Sequence, residues 1–232
     1  MSLCAELIEA AGPACVAVKP QLACFERLGV DGRKALGEVV VAAQDAGLLV
    51  VADGKRGDVP TTAAAYAESL TGLGADAFTV NPLLGGDALD PFVDAADAAG
   101  AGVFSLVRTS NPGAAELQDA GDPPLRERLA ALVADRADRL AGSGGLTGMG
   151  AVVGATEPQL LGSLRELMPM AILLIPGVGA QGGRPEDLAP ALVEGEPASI
   201  LVAAARSIAG ADDPAAAAAE LRDAVWRLEA VR

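Results

Sequence analysis

Short apolar runs alternate along this chain with longer stretches in which apolar positions return every three or four residues. The runs cover residues 14–19, 48–53, 77–80, 102–107, 150–154, 171–175 and 199–203. Each is rich in β-branched or aliphatic residues and too short for a helix, so each reads as a strand buried on both faces. The stretches between them predict helices over 2–11, 31–46, 60–73, 87–99, 124–141, 157–167 and 214–230, with a short one near 185–193. Gly12-Pro13 stops the first helix and Gly47 the second, while Pro60-Thr61-Thr62 opens the third with proline in the first turn, where its missing N–H costs nothing. Gly142-Ser143-Gly144-Gly145 is the most flexible-looking segment, but it only joins a helix to the next strand.

Regular alternation of strands and helices requires parallel strands with right-handed crossovers, and a repeat of roughly thirty residues suits a β/α barrel. The expected fold is a (β/α)8 TIM barrel forming a single domain over residues 1–232. Only seven strands are found, and a helix stands where a closed barrel's first strand is expected.

The ends of these strands then draw attention, because active sites of parallel α/β folds lie at the carboxyl ends. Asp53-Gly54-Lys55-Arg56-Gly57-Asp58 closes the second run. Asp53 and Lys55, two apart, point the same way from an extended chain and bring opposite charges into one pocket. A salt-bridged strand end before a glycine turn is the alternative. Lysine usage favours chemistry: the chain has three lysines, Lys19, Lys34 and Lys55, against fourteen arginines. A compact ammonium able to release its proton is what arginine cannot supply, and both Lys19 and Lys55 close strands.

Composition narrows the choice further. Histidine is absent, which removes histidine bases, Ser-His-Asp triads and histidine metal sites. The net charge of −14 opposes nucleic acid and anionic membranes over most of the surface. Any anionic ligand therefore needs a local cationic pocket. Cys4, Cys15 and Cys24 have neither zinc-site spacing nor an even number for a disulfide framework, and read as reduced cysteines of a cytoplasmic protein.

Two further loops carry candidates. Pro176-Gly177-Val178-Gly179-Ala180-Gln181-Gly182-Gly183 follows a strand and matches G-x-G-x-x-G, a dinucleotide signature. About fifty residues remain after it, too few to complete a doubly wound domain, so a barrel phosphate loop is preferred, with backbone N–H groups and Gln181 around the anion. Arg206, just after the last strand, would share that phosphate. Ser110, in Thr109-Ser110-Asn111-Pro112, either offers a hydroxyl to a heterocycle edge or caps a turn. Asp58 stands where a helix N-cap would be, and nothing local separates that role from a catalytic one.

Taken together, Val18-Lys19-Pro20-Gln21 with Phe25-Glu26, Asp53-x-Lys55-x-x-Asp58, Thr79-Val80-Asn81-Pro82, Thr109-Ser110-Asn111-Pro112-Gly113, Val153-Gly154-Ala155-Thr156 and the loop 176–183 resemble the orotidine 5′-phosphate decarboxylase family, in its bacterial subgroup with Lys-Pro-Gln and Thr-Ser-Asn-Pro signatures. The likeness spans about residues 5–210, with the motifs in the family's order. It implies a homodimeric barrel that converts orotidine monophosphate to UMP, the last step of de novo pyrimidine synthesis, with neither cofactor nor metal. By the same resemblance Lys19, Asp53 and Lys55 form a charged array in one subunit. Asp58 reaches the partner's site, accompanied by Val59 and Thr62. Ser110 reads the pyrimidine, and Pro176, Gln181 and Arg206 bind substrate at the phosphate end. The chain departs from the family in two places: the first strand with its ribose-binding aspartate is not found, and Ala205 precedes Arg206 where many relatives have glycine or serine. The competing readings are a magnesium-dependent sugar-phosphate lyase or synthase of the same suprafamily, and a non-catalytic relative that only binds nucleotide phosphate.

Overall fold

Seven parallel strands follow one another in chain order across one sheet in the computed structural model, which describes residues 3–228. They are β1 Ala17–Val18, β2 Leu49–Arg56, β3 Ala77–Val80, β4 Gly102–Arg108, β5 Thr147–Val153, β6 Ala171–Pro176 and β7 Ile200–Ala203. Each pairs in parallel with the next. Among the described residues β7 and β1 are not paired, so the seven expected strands form a curled sheet of the TIM-barrel type that is open between its first and last members.

The helices are α1 Leu3–Ala11, α2 Leu22–Glu26, α3 Gly29–Asp45, α4 Pro60–Thr71, α5 Gly86–Ala99, α6 Ala114–Gln118, α7 Leu125–Ala134, α8 Leu161–Leu167, α9 Arg206–Ala209 and α10 Pro214–Trp226. The predicted helix ends at residue 2 and at 229–230 lie outside the described residues.

Two apolar layers explain why the strands read as unbroken hydrophobic runs. Val51, Ala77, Phe104, Val152 and Leu174 form an inner cluster, joined by partly buried residues of β1 and β7. Their chain neighbours Val50, Phe78, Val103, Val153 and Leu173 turn outward into the larger layer beneath the helices. α5 shows how a helix joins that layer. Ala88, Leu89, Phe92, Val93 and Ala96 recur at helical spacing and are all buried, and the Phe92 ring meets Phe78 with centroids 6.3 Å apart. Each large side chain buried this way contributes about 1.5–3 kcal/mol against exposure.

Three of the differences from the expected elements have a clear physical cause. The strand expected over 14–19 shrinks to Ala17–Val18, because only that pair meets ladder partners, Leu49 and Val50. The helix expected over 124–141 ends at Ala134, and a 3-10 turn, Ala137–Leu140, follows. Tertiary ion pairs override propensity there: Arg136 donates to Asp90 at 2.8 Å, and Arg139 reaches both Asp90 and Asp94 on α5. The segment near 185–193 is a 3-10 helix, Pro185–Ala191, with Pro190 inside it, where the missing N–H disfavours α-helical bonding.

Candidate active site

β1 and β2 lie side by side, and their pairing continues past β1 as Pro20 accepts the Asp53 N–H at 3.0 Å and Gln21 bridges to Asp53. This register carries Lys19 against the Asp53 carboxylate. Lys19 Nζ and Gln21 Nε2 donate to Oδ2, the latter at 3.2 Å. Lys55 Nζ donates to Oδ1 at 2.5 Å, and the Thr79 hydroxyl donates to the same oxygen at 2.9 Å. Asp53 is 4% exposed, whereas the Lys19 and Lys55 side chains remain 27% and 41% open. A buried carboxylate thus sits beneath two ammonium groups that face outward. Burial works to raise the Asp53 carboxyl, but the charges and hydrogen bonds of Lys19 and Lys55 outweigh it and hold it below the ordinary carboxylate value. The array carries a net positive charge on a strongly acidic chain, so it presents a local attraction for an anion.

β2 runs to Arg56, three residues beyond the expected strand end. Asp58 follows on the way into α4. It accepts the Val59 N–H at 2.7 Å, while Val59, not Asp58, takes the N-cap position and no side chain caps this helix. Among the described residues Asp58 forms no ion pair. Val59 and Thr62 are exposed beside it.

Ser110 lies beyond β4, against two glycines: a Cβ on Gly154 would approach Ser110 to 2.9 Å, and one on Gly177 to 3.1 Å. Only bare backbone allows the Thr-Ser-Asn-Pro loop to close onto the glycine loop after Pro176. The serine loop is fastened from below. Buried Arg108 donates to both carboxylate oxygens of Asp119, at 3.0 and 3.1 Å, and Arg126 adds 2.9 Å. The hydrogen bonds from Arg108 head the causes that hold the Asp119 carboxyl low. The Gln118 Oε1 accepts the Thr109 N–H at 2.8 Å.

The glycine loop abuts the last strand's exit, because Gly179 lies within reach of Ser207. Gln181 and Arg206 are both exposed and make no side-chain hydrogen bond or ion pair among the described residues. The expected cradle of backbone N–H groups is smaller than the sequence implies. The N–H groups of Gly179, Gly182 and Gly183 bond to carbonyls within the loop, because the turn satisfies its own donors first. The exposed donors left at this end of the sheet include the Gln181 and Arg206 side chains.

Thr79 and Gln21 join the array without having been assigned a role from sequence, and Arg108 and Asp119 were likewise missed. For Thr79 the available signal was a hydroxyl at a buried position of an otherwise apolar strand. Among the described residues no cluster of histidine, cysteine or acidic side chains is arranged to hold a metal ion.

A protein-family model for the orotidine 5′-phosphate decarboxylase / HUMPS family matches residues 2–221. The chain belongs to that family. Within it, the chain is similar to the orotidine 5′-phosphate decarboxylase of Deinococcus radiodurans, 49% identical over 193 residues that make up 82% of this chain and 70% of that one. It is 45% identical to the enzyme of the same name from Rhodopirellula baltica over 82% of this chain and 66% of that one. Among solved structures, Leishmania donovani UMP synthase superposes with a TM-score of 0.85 at 39% identity, covering 98% of this chain. The chain spans about two thirds of the Rhodopirellula protein and 49% of the UMP synthase chain.

Proposed function

We propose that this decarboxylase-family chain converts orotidine 5′-phosphate to UMP and carbon dioxide, the last step of de novo pyrimidine synthesis. The observation that carries this reading is the buried Asp53 carboxylate held between Lys19 and Lys55 at the carboxyl end of β2. Cleavage of the bond between the pyrimidine ring and its carboxylate leaves an electron pair on C6, where delocalisation is poor. The ammonium of Lys55 stabilises that developing charge and then donates its proton to C6, leaving a neutral amine that solvent reprotonates. Asp53 lies beside the substrate carboxylate and raises the energy of the bound ground state relative to the transition state. Lys19 holds Asp53 ionised and in place. The chemistry runs on these charges and calls for neither cofactor nor metal.

Substrate recognition divides among the loops. Ser110 addresses the pyrimidine edge, and Gln181 and Arg206, without side-chain partners among the described residues, take the phosphate with Pro176 at the loop's entrance. Binding energy from that remote phosphate offsets the cost of ordering the reacting groups. The working unit is a homodimer in which Asp58 enters the partner's array with Val59 and Thr62 alongside. Support for it is that Asp58 has no ion pair among the described residues and that its two companions are exposed. Substrate and product are soluble nucleotides, and the reading places the enzyme in the cytoplasm.

The test is a continuous ultraviolet assay of orotidine monophosphate loss, with and without EDTA. Rapid, EDTA-insensitive turnover that disappears in Lys55→Ala is expected. A folded wild-type chain that binds UMP without any turnover would instead identify a non-catalytic relative.

A further inference from the structure

Lys55 is held in a backbone conformation that side chains other than glycine rarely adopt. Its φ is +48°, and every other described residue with positive φ is a glycine. Such a conformation persists only where surrounding contacts enforce it. The β2–β3 ladder shows what enforces it here. Ala52 pairs with Phe78 and the next pair is Arg56 with Val80, so β2 advances four residues while β3 advances two. The surplus forms a bulge opposite Thr79, and the bulge turns Lys55 away from the regular ladder.

A bulge deprives a backbone N–H of its usual acceptor. Thr79 Oγ1 replaces it, accepting the Lys55 N–H at 2.9 Å. The same oxygen lies 2.9 Å from Asp53 Oδ1. A hydroxyl has one proton, and the Lys55 N–H can only donate, so the hydroxyl proton must go to the acceptor-only carboxylate. Thr79 is 1% exposed, so water does not compete for it. Beyond the bulge Arg56 is pinned by an ion pair with Glu26 on α2, and its guanidinium lies 5.4 Å from the Tyr66 ring centroid. The Arg56 carbonyl accepts the Asn81 N–H at 2.7 Å. Both strands are fixed just past the bulge, and among the described residues Thr79 is the one side chain that bonds to both charged residues within it.

We propose that Thr79 is a positioning residue whose hydroxyl ties the Lys55 backbone to the Asp53 carboxylate and thereby sets the placement of the two charges that act in decarboxylation. The proposal rests on the decarboxylase reading. Its consequence is specific: the phosphate is addressed by Gln181 and Arg206 on other loops, so loss of the hydroxyl disturbs the reacting groups and leaves substrate affinity largely intact.

The experiment compares wild type, Thr79→Val and Thr79→Ser for kcat and KM with orotidine monophosphate, UMP affinity and thermal melting. Valine keeps the volume and removes both hydrogen bonds, whereas serine keeps both and removes a methyl group. The expected result is a kcat reduced on the order of a hundredfold in Thr79→Val, with KM, UMP affinity and cooperative melting close to wild type and with kcat restored in Thr79→Ser. If Thr79→Val does not fold, Thr79→Ala serves in its place with the same expectation. An active wild type with a valine variant whose kcat is undiminished would overturn the positioning role. So would a parallel fall in kcat and UMP affinity, which would assign the hydroxyl to general integrity of the site. A wild type without turnover overturns the decarboxylase reading itself, and is told apart from both by the wild-type control.

Discussion

Protonating Asp53 would remove the one negative charge that Lys19 and Lys55 share in their own subunit, leaving two ammonium groups in mutual repulsion above a neutral acid. Because the folded-state carboxyl is held below its ordinary value of 3.8, the folded protein binds fewer protons there than the unfolded chain. The stabilisation is therefore complete above that ordinary value and is lost as pH falls through the lowered native one. Urea denaturation between about pH 7 and about pH 3 should show this loss, and Asp53→Asn should flatten it. The substitution should also cost about 3 kcal/mol at neutral pH, since removing one partner from a buried ion pair strands the other charges. Decarboxylation should vanish with it. At this scale the site was partly legible in the sequence. Lys19 and Lys55 stood out because lysine is sparse and both close apolar runs, and Asp53 followed from its spacing to Lys55. Thr79 stood only inside the motif Thr79-Val80-Asn81-Pro82 and drew no role of its own, because a threonine within an apolar run reads as one more β-branched strand residue. Its importance arises from a bulge in the neighbouring strand, which residue spacing on β3 does not encode.

Elements hold together at the opposite end of the sheet through another buried charge. Arg165 on α8 is 7% exposed and donates to four backbone carbonyls: Ala191 at 2.8 Å, Met168 at 2.9 Å, Ala171 at 2.6 Å and Ser199 at 2.9 Å. These carbonyls end the 3-10 helix Pro185–Ala191, follow α8, begin β6 and precede β7. Burial pulls the guanidinium down to about 10, so it stays charged at neutral pH without a carboxylate partner. Arg165→Met should cost about 2–4 kcal/mol, because the carbonyls lose their shared donor. Arg165→Lys should recover only part of this, since one ammonium cannot reproduce the planar fork. Equilibrium denaturation measures both, and UMP affinity near wild type would place the effect on the scaffold. The strand–helix order was readable because burial on both faces of the sheet makes each strand a continuous apolar run. Helix boundaries were less so: the break after Ala134 depends on Arg136 and Arg139 meeting carboxylates more than forty positions earlier in the chain. Local periodicity contains no trace of such partners.

At the scale of the whole molecule, the proposed dimer makes a prediction about Asp58. Among the described residues Asp58 has no ion pair, and Val59 and Thr62 beside it are exposed. If the dimer is two-fold symmetric, each site combines Lys55 of one protomer with Asp58 of the other. Lys55→Ala and Asp58→Ala homodimers should then each be nearly inactive, while a mixed dimer regains one complete site. That site takes Lys55 from the Asp58→Ala protomer and Asp58 from the Lys55→Ala protomer. The second site in the same dimer carries both defects. Each mixed dimer carries one intact site in two, so mixed dimers freed of both parents should reach about half of wild-type activity. Co-expression of the two variants with different tags, purification through both tags and the ultraviolet assay would measure the recovery directly. If Asp58 served its own subunit, every site in the mixed dimer would carry one defect and activity would stay at the level of the parents. Recovery therefore separates an aspartate that completes a neighbour's site from one that merely opens α4.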